Sequence, residues 1–195
     1  DHVEFSGFMG YDPHVALMPK ILRSPKKSFQ LANDFYKSCI ELVQNDFPSL
    51  WHENLTFNGA GSPTLALHKN FDSVLNDISA GSALVKPTHF DIPTLSGYQP
   101  ASFIATPILK KFKGTTLPVL EKLKGIFNFL KPAFKKSYFI YGGYWKAEYH
   151  FPPKTIVNPI FGSSTNQSMI NTTSKIDLDV DDFIFLRPSQ SEFVF

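Results

Sequence analysis

Twice in the first half of the chain, an apolar run breaks off into a turn of glycine and hydroxyl residues and the chain then turns apolar again. Residues 54–64 read NLTFNGAGSPT, and residues 75–87 read LNDISAGSALVKP. The first reads as a short strand, a turn and a helix from Pro63. The second reads as strand, small-residue turn and apolar run. Ahead of both, residues 3–9 read as a buried strand, followed by the loop GYDPHV. Ser24-Pro25 then supplies an N-cap with proline at the first helical position. From there Ala32, Phe35, Tyr36, Cys39, Ile40 and Val43 recur at spacings of three and four, which predicts one apolar face of a helix over 25–45. A helix between strands, with polar Gly/Ser turns after the strands, is the βαβα pattern of a parallel sheet or barrel. In such folds the loops at the C-terminal strand ends carry the ligand.

The character changes near residue 87. Proline, glycine and aromatic residues become frequent, and strand-like runs appear at 102–110, 137–141, 176–180 and 182–187. The expected class is therefore α/β plus β. Residues 1–87 would form later strands and helices of a β/α barrel, and 88–195 a mainly β C-terminal domain. A helical insertion is predicted near 117–131, with Leu120, Leu123, Phe127 and Leu130 on one face and several lysines on the other. A solvated helix covering a sheet is the commoner use of such a charged face, and binding to a membrane surface is the alternative.

Bulk properties exclude several classes. A net charge of +2 gives no electrostatic case for nucleic acid. No run approaches the roughly 18 apolar residues that span a bilayer. Cys39 is the one cysteine, so the chain makes no internal disulfide and no Cys-based zinc cluster, and a reducing, cytoplasmic compartment is expected. Its place on the helix face marks it as a core thiol. Triplets at Asn54, Asn166 and Asn171 fit the glycosylation pattern, which arises often by chance. Both ends lie inside apolar, strand-like runs, which suggests a piece of a longer protein.

The chemistry-bearing residues are few. In GAGSPT, backbone N–H groups near Gly61 and Ser62 are able to face an anion, and the start of the following helix adds positive potential. SAGS, with Gly81 and Ser82, is a second such turn. Turns of this kind are common and most bind nothing, but two at successive strand ends strengthen the case for a phosphate site. Tyr11, Asp12 and His14 cluster after the first strand. Imidazole and phenol at a strand end are able to hold a cofactor ring or transfer protons; alternatively Asp12-Pro13 makes a turn and His14 is incidental. The remaining histidines show no metal-ligand spacing. GxGxxG, Walker, HExxH, GxSxG and paired CxxC patterns are absent.

In order and spacing, SGFMGYDPHV, FNGAGSPT, NDISAGSALV, YFIYGGYWKA and VDDFIFLRPSQSE together resemble the D-threonine aldolase/D-serine dehydratase family, pyridoxal-phosphate enzymes of the alanine-racemase fold type. The resemblance covers nearly the whole chain. It implies the C-terminal part of an enzyme acting at Cα and Cβ of a small-molecule D-amino acid, as a β-hydroxy amino acid lyase, dehydratase or aldolase. A homodimer and no nucleic-acid or membrane partner go with it. A racemase of the same fold type, or a non-catalytic binding or dimerisation module, is the alternative. By this resemblance Tyr11, His14, Gly61, Ser62, Gly81 and Ser82 contact pyridoxal 5′-phosphate. Pro13 stands where the family has glycine. No segment matches the family's first barrel strand, so the Schiff-base role passes to no lysine here. Gln190 and Glu192 occupy the places of a metal-ligand pair, His and then Cys or Asp. Glu192 suits a harder divalent ion such as magnesium or manganese, and Gln190 binds only weakly, so either such an ion or no metal is implied.

Overall fold

At Gly7 the backbones of two strands approach so closely that a Cβ would lie 1.8 Å from the Thr56 carbonyl oxygen; with φ at 131° the position admits only glycine. This is the start of a parallel sheet in a computed structural model that describes residues 2–19, 21, 24–113, 136–173 and 175–194. The chain divides into two compact units, 1–86 with 90–99, and 87–89 with 100–195.

In the first unit, β1 (Gly7–Met9), β2 (Thr56–Gly59) and β3 (Asp77–Ile78) pair in parallel in that order. Between β1 and β2 run α1 (His14–Leu17) and α2 (Pro25–Asp46); α3 (Leu65–Asn70) joins β2 to β3. The start of α2 follows from its sequence: Ser24 Oγ accepts the Lys27 N–H at 3.3 Å, and Pro25 occupies the first turn. Pro48 follows directly on its C-cap, Phe47. The buried face differs from the predicted one. Phe29 and Val43 are buried, whereas Phe35 is 73% exposed. Phe29 packs with Val15 and Leu67, and Ala32 and Phe71 lie against them. Burying one such phenylalanine contributes about 1.5–3 kcal/mol. Tyr36, on the same helix, shares its hydroxyl proton between the carbonyl oxygens of Phe8 (3.0 Å) and Asn58 (2.8 Å), and burial pushes that phenol up to about 12.

The second unit contains a six-stranded antiparallel sheet of β4 (Ile104–Phe112), β5 (Lys136–Tyr141), β6 (Ala147–Phe151), β7 (Thr155–Val157), β8 (Gln167–Thr172) and β9 (Phe183–Pro188). Its strand order is β6-β9-β4-β5-β8-β7. The outermost strands, β6 and β7, are consecutive in sequence and separated by three residues. Laid flat, six strands would hold their edges about 24 Å apart, yet a three-residue link spans about 14 Å at most. The sheet therefore curls towards a nearly closed barrel. Ile184 and Leu186 of β9 point inward, with Ile108, Tyr138, Ile140, Ile170 and Leu178, while Phe183 and Phe185 face out. That is the period-two alternation of a half-buried strand.

The mainly β character of the second half holds, with two differences in detail. Residues 176–180 form no strand. Although they alternate in polarity, Asp177 and Asp179 turn outward to Lys111 (3.1 and 2.8 Å), and the Asp179 N–H bonds the Asp182 carboxylate in a turn with Asp181 at φ 73°. Strands β6, β7 and β8 stand outside the strand-like runs of the sequence; β8 carries Gln, Ser, Asn and Thr, yet its last five residues are buried. One of them, Asn171, is bonded to Asn158 and Ser137 (both 2.7 Å), so its triplet presents no glycosylation acceptor. The predicted helix at 117–131 lies outside the described residues. Among the described residues no helix is long and apolar enough to cross a membrane.

Candidate functional site

The C-terminal ends of β1, β2 and β3 open onto one cleft of about 750 Å³. Parallel pairing explains the convergence, because strands running the same way deliver their following loops to the same edge of the sheet. Tyr11 arrives from β1, Gly61 and Ser62 from β2, and Gly81 and Ser82 from β3; all five line the cleft. His14 does not. It opens α1, is exposed, and lines an adjoining, mostly apolar cavity of about 490 Å³ that also holds Tyr11, Asp12 and His68.

Each turn is shaped by a specific restraint. Ala60 is buried with φ at 70°, a left-handed conformation that costs a non-glycine residue roughly 1–2 kcal/mol. It sits at the bend that takes the chain out of β2. A Cβ on Gly61 would lie 2.6 Å from the Tyr11 ring, so glycine there makes room for that ring. A Cβ on Gly81 would meet nothing within 4 Å. The buried Ser62 Oγ accepts the Ala83 N–H at 2.9 Å, tying the second turn to the third, and its own proton remains a donor. Asn58 Nδ2 donates to Asp77 (2.6 Å) and to Ser79 Oγ (2.8 Å), which joins β2 to β3 beside the cleft.

A further group of side chains, joined by no motif in the sequence, is brought together by the fold. Thr64, fully buried, donates from Oγ1 to Asp12 Oδ1 at 2.6 Å. His68 Nε2 lies 2.9 Å from Asp12 Oδ2, and His68 Nδ1 lies 2.8 Å from Ser73 Oγ. The Asp12 and His68 side chains are only 14% and 6% exposed. Burial by itself raises the Asp12 carboxyl, but the bonds from His68 and Thr64 outweigh it and hold the group below the usual carboxylate range. The sequence separations of 52 and 56 residues hide this cluster. The one local signal is that Thr64 and His68 are four apart across the start of α3.

The two turns suit a phosphate ester in donor chemistry: small residues and hydroxyls, with no carboxylate among the described residues that line the cleft. The helices that follow the turns are short, α3 having six residues and the Ser82–Leu84 turn three, so any anion is held by local N–H and hydroxyl donors rather than by a long helix dipole. In the second unit, Gln190 and Glu192 follow β9 and are both exposed, with Glu192 in the turn Ser191–Val194. Among the described residues no three His, Cys, Asp or Glu side chains gather at metal-binding distance.

No protein-family model matches the chain, and no curated protein matches it in sequence. Solved structures do match. D-threonine aldolase from Filomicrobium marinum superposes with a TM-score of 0.61 at 15% identity, over 97% of this chain and 47% of that one. Alanine racemase from E. faecalis gives 0.50 at 14% identity, over 93% of this chain and 46% of that one. The chain thus spans about half the length of either, and at these identities the likeness is one of fold.

Proposed function

We propose that this chain is the cofactor-phosphate-binding and β-domain portion of a pyridoxal-phosphate-dependent enzyme acting on D-amino acids, with the first unit contributing to a β/α barrel. The observation that carries the reading is the convergence of Tyr11, Gly61, Ser62, Gly81 and Ser82 on one cleft at the C-terminal ends of three parallel strands. The fold likeness to a D-threonine aldolase and an alanine racemase supports it.

In this reading the N–H groups of the Gly61-Ser62 and Gly81-Ser82 turns, with the two serine hydroxyls, hold the 5′-phosphate. The Tyr11 ring flanks it above Gly61, and His14 belongs to the same constellation from the adjoining cavity. Pyridoxal phosphate supplies an electron sink for a carbanion at Cα. The chain's own contribution is to fix the phosphate and so the position of the ring; no lysine here is assigned the covalent anchor. The substrate is a D-amino acid with a β-hydroxyl, and the reaction a lyase or dehydratase step. Gln190 and Glu192 belong to the rim of the β domain, and no metal is assigned to them. A cytoplasmic homodimer belongs to the same reading.

The alternative with a specific observation behind it is an amino-acid racemase, supported by the likeness to alanine racemase. In the complete enzyme of which this chain would be a portion, incubation with pyridoxal phosphate and D-threonine separates the two: glycine and acetaldehyde, or an oxo acid and ammonia, mark a lyase, and L-allo-threonine marks a racemase. The cofactor claim has its own test in pyridoxine 5′-phosphate, which lacks the aldehyde and so cannot react with surface lysines. It should bind at least about tenfold tighter than pyridoxine, and equal binding of the two contradicts the assignment.

A further inference from the structure

The Asp12, Thr64 and His68 cluster stands outside the cleft lining, yet it grips both loops that form one side of it. Asp12 follows Tyr11 directly. Thr64 ends the turn that begins at Gly61, whose carbonyl oxygen accepts the N–H groups of Thr64 (3.0 Å) and Leu65 (2.9 Å). One hydrogen bond of 2.6 Å from Thr64 to Asp12 therefore fixes Tyr11 relative to Gly61 and Ser62. Both carboxylate oxygens are engaged, Oδ1 by Thr64 and Oδ2 by His68. His68 is itself held by Ser73 at 2.8 Å and by the edge of the Phe29 ring, 4.9 Å between centroids. Asp12 thus has no oxygen turned to the cleft, and its negative charge would oppose an anion there in any case.

We infer that Asp12, Thr64 and His68 are positioning residues that set the spacing between Tyr11 and the Gly61-Ser62 turn, and thereby the selectivity of the cleft for a phosphate ester. The inference rests on the proposed use of the cleft. It goes further in assigning phosphate selectivity to three residues that do not touch the ligand. Thr64 is the informative member. It is fully buried, its hydroxyl reaches across 52 residues of sequence, and valine has nearly its shape without the donor.

The experiment compares the binding of pyridoxine 5′-phosphate and of pyridoxine to the wild-type protein, Thr64→Val and Thr64→Ser, by calorimetric titration. The expected result is that Thr64→Val lowers the preference for the phosphate ester about tenfold while pyridoxine binding changes little, and that Thr64→Ser restores it. A role confined to stability would weaken both ligands alike or neither. If Thr64→Val does not fold, His68→Asn carries the test, since it releases one oxygen of Asp12 and leaves Thr64 in place; it should lose about threefold of the preference. Wild-type selectivity kept in a folded Thr64→Val or in His68→Asn overturns the inference and leaves the proposed function standing. Absence of phosphate selectivity in the wild-type protein overturns both.

Discussion

The two units solve the same problem, holding strands together, by different means. In the second, a sheet curled almost onto itself surrounds seven buried apolar side chains among the described residues, and the fully buried Asn158 and Asn171 bond to each other beside it. In the first, the buried apolar cluster has three members among the described residues, drawn from the helices, and Met9 on β1 is 87% exposed. Its strand ends are instead cross-linked by polar bonds: Asp12 to Thr64, Ser62 to Ala83, Asn58 to Ser79. The difference teaches how a cleft is held open. Apolar packing has little directional preference, whereas a hydrogen bond fixes distance and angle, so the unit that must hold a cleft open relies on the latter.

Substitutions at four positions test this contrast, in order of expected effect. Ile184→Ala removes a fully buried member of the β-domain interior and should cost about 2–5 kcal/mol in a denaturant titration. A loss below 1 kcal/mol would show that the curled sheet does not depend on its core. Asp12→Ala leaves the buried hydroxyl of Thr64 and the imidazole of His68 without their acceptor, and should cost about 1–3 kcal/mol. The sign of its pH dependence is set by the lowered carboxyl. A carboxylate held below its unfolded value stabilises the fold fully above the ordinary range, about pH 4. That contribution is lost as pH falls through the lowered value. Asp12→Asn should therefore flatten the acid limb of a stability–pH curve, and an unchanged limb would remove Asp12 from the account. Tyr36→Phe deletes the hydroxyl shared between Phe8 and Asn58 and should cost about 1 kcal/mol. An alkaline absorbance titration should also lose one phenol that ionises near 12. Ala60→Gly should act in the opposite direction, stabilising by about 0.5–1 kcal/mol through relief of the left-handed backbone.

Much of this arrangement was legible in the sequence, for identifiable reasons. Helix α2 could be read because Ser24, Pro25 and a three-and-four periodicity are local signals, though its buried face was not: Phe35 fits the period as well as Phe29 does, and only tertiary packing decides between them. The cleft was legible because glycine and serine after a strand mark a turn wherever they occur. The brace was not, since Asp12 and His68 are joined by the fold across 56 residues. Strand β8 escaped because its buried residues are largely polar and satisfied by neighbours on adjoining strands, and residues 176–180 misled because alternation alone does not distinguish a strand from an extended turn.

The central claim, that the strand-end cleft holds a phosphate ester, is tested most directly at Gly81. The Cβ of a larger residue there meets no atom of the chain within 4 Å, and the position lines the cleft, so Gly81→Val should unfold within about 0.5 kcal/mol of wild type. Titrated with pyridoxine 5′-phosphate, the wild-type protein should bind and Gly81→Val should lose at least about tenfold in affinity. Equal affinity in the two folded proteins would place the phosphate, and with it the proposed site, somewhere other than this cleft.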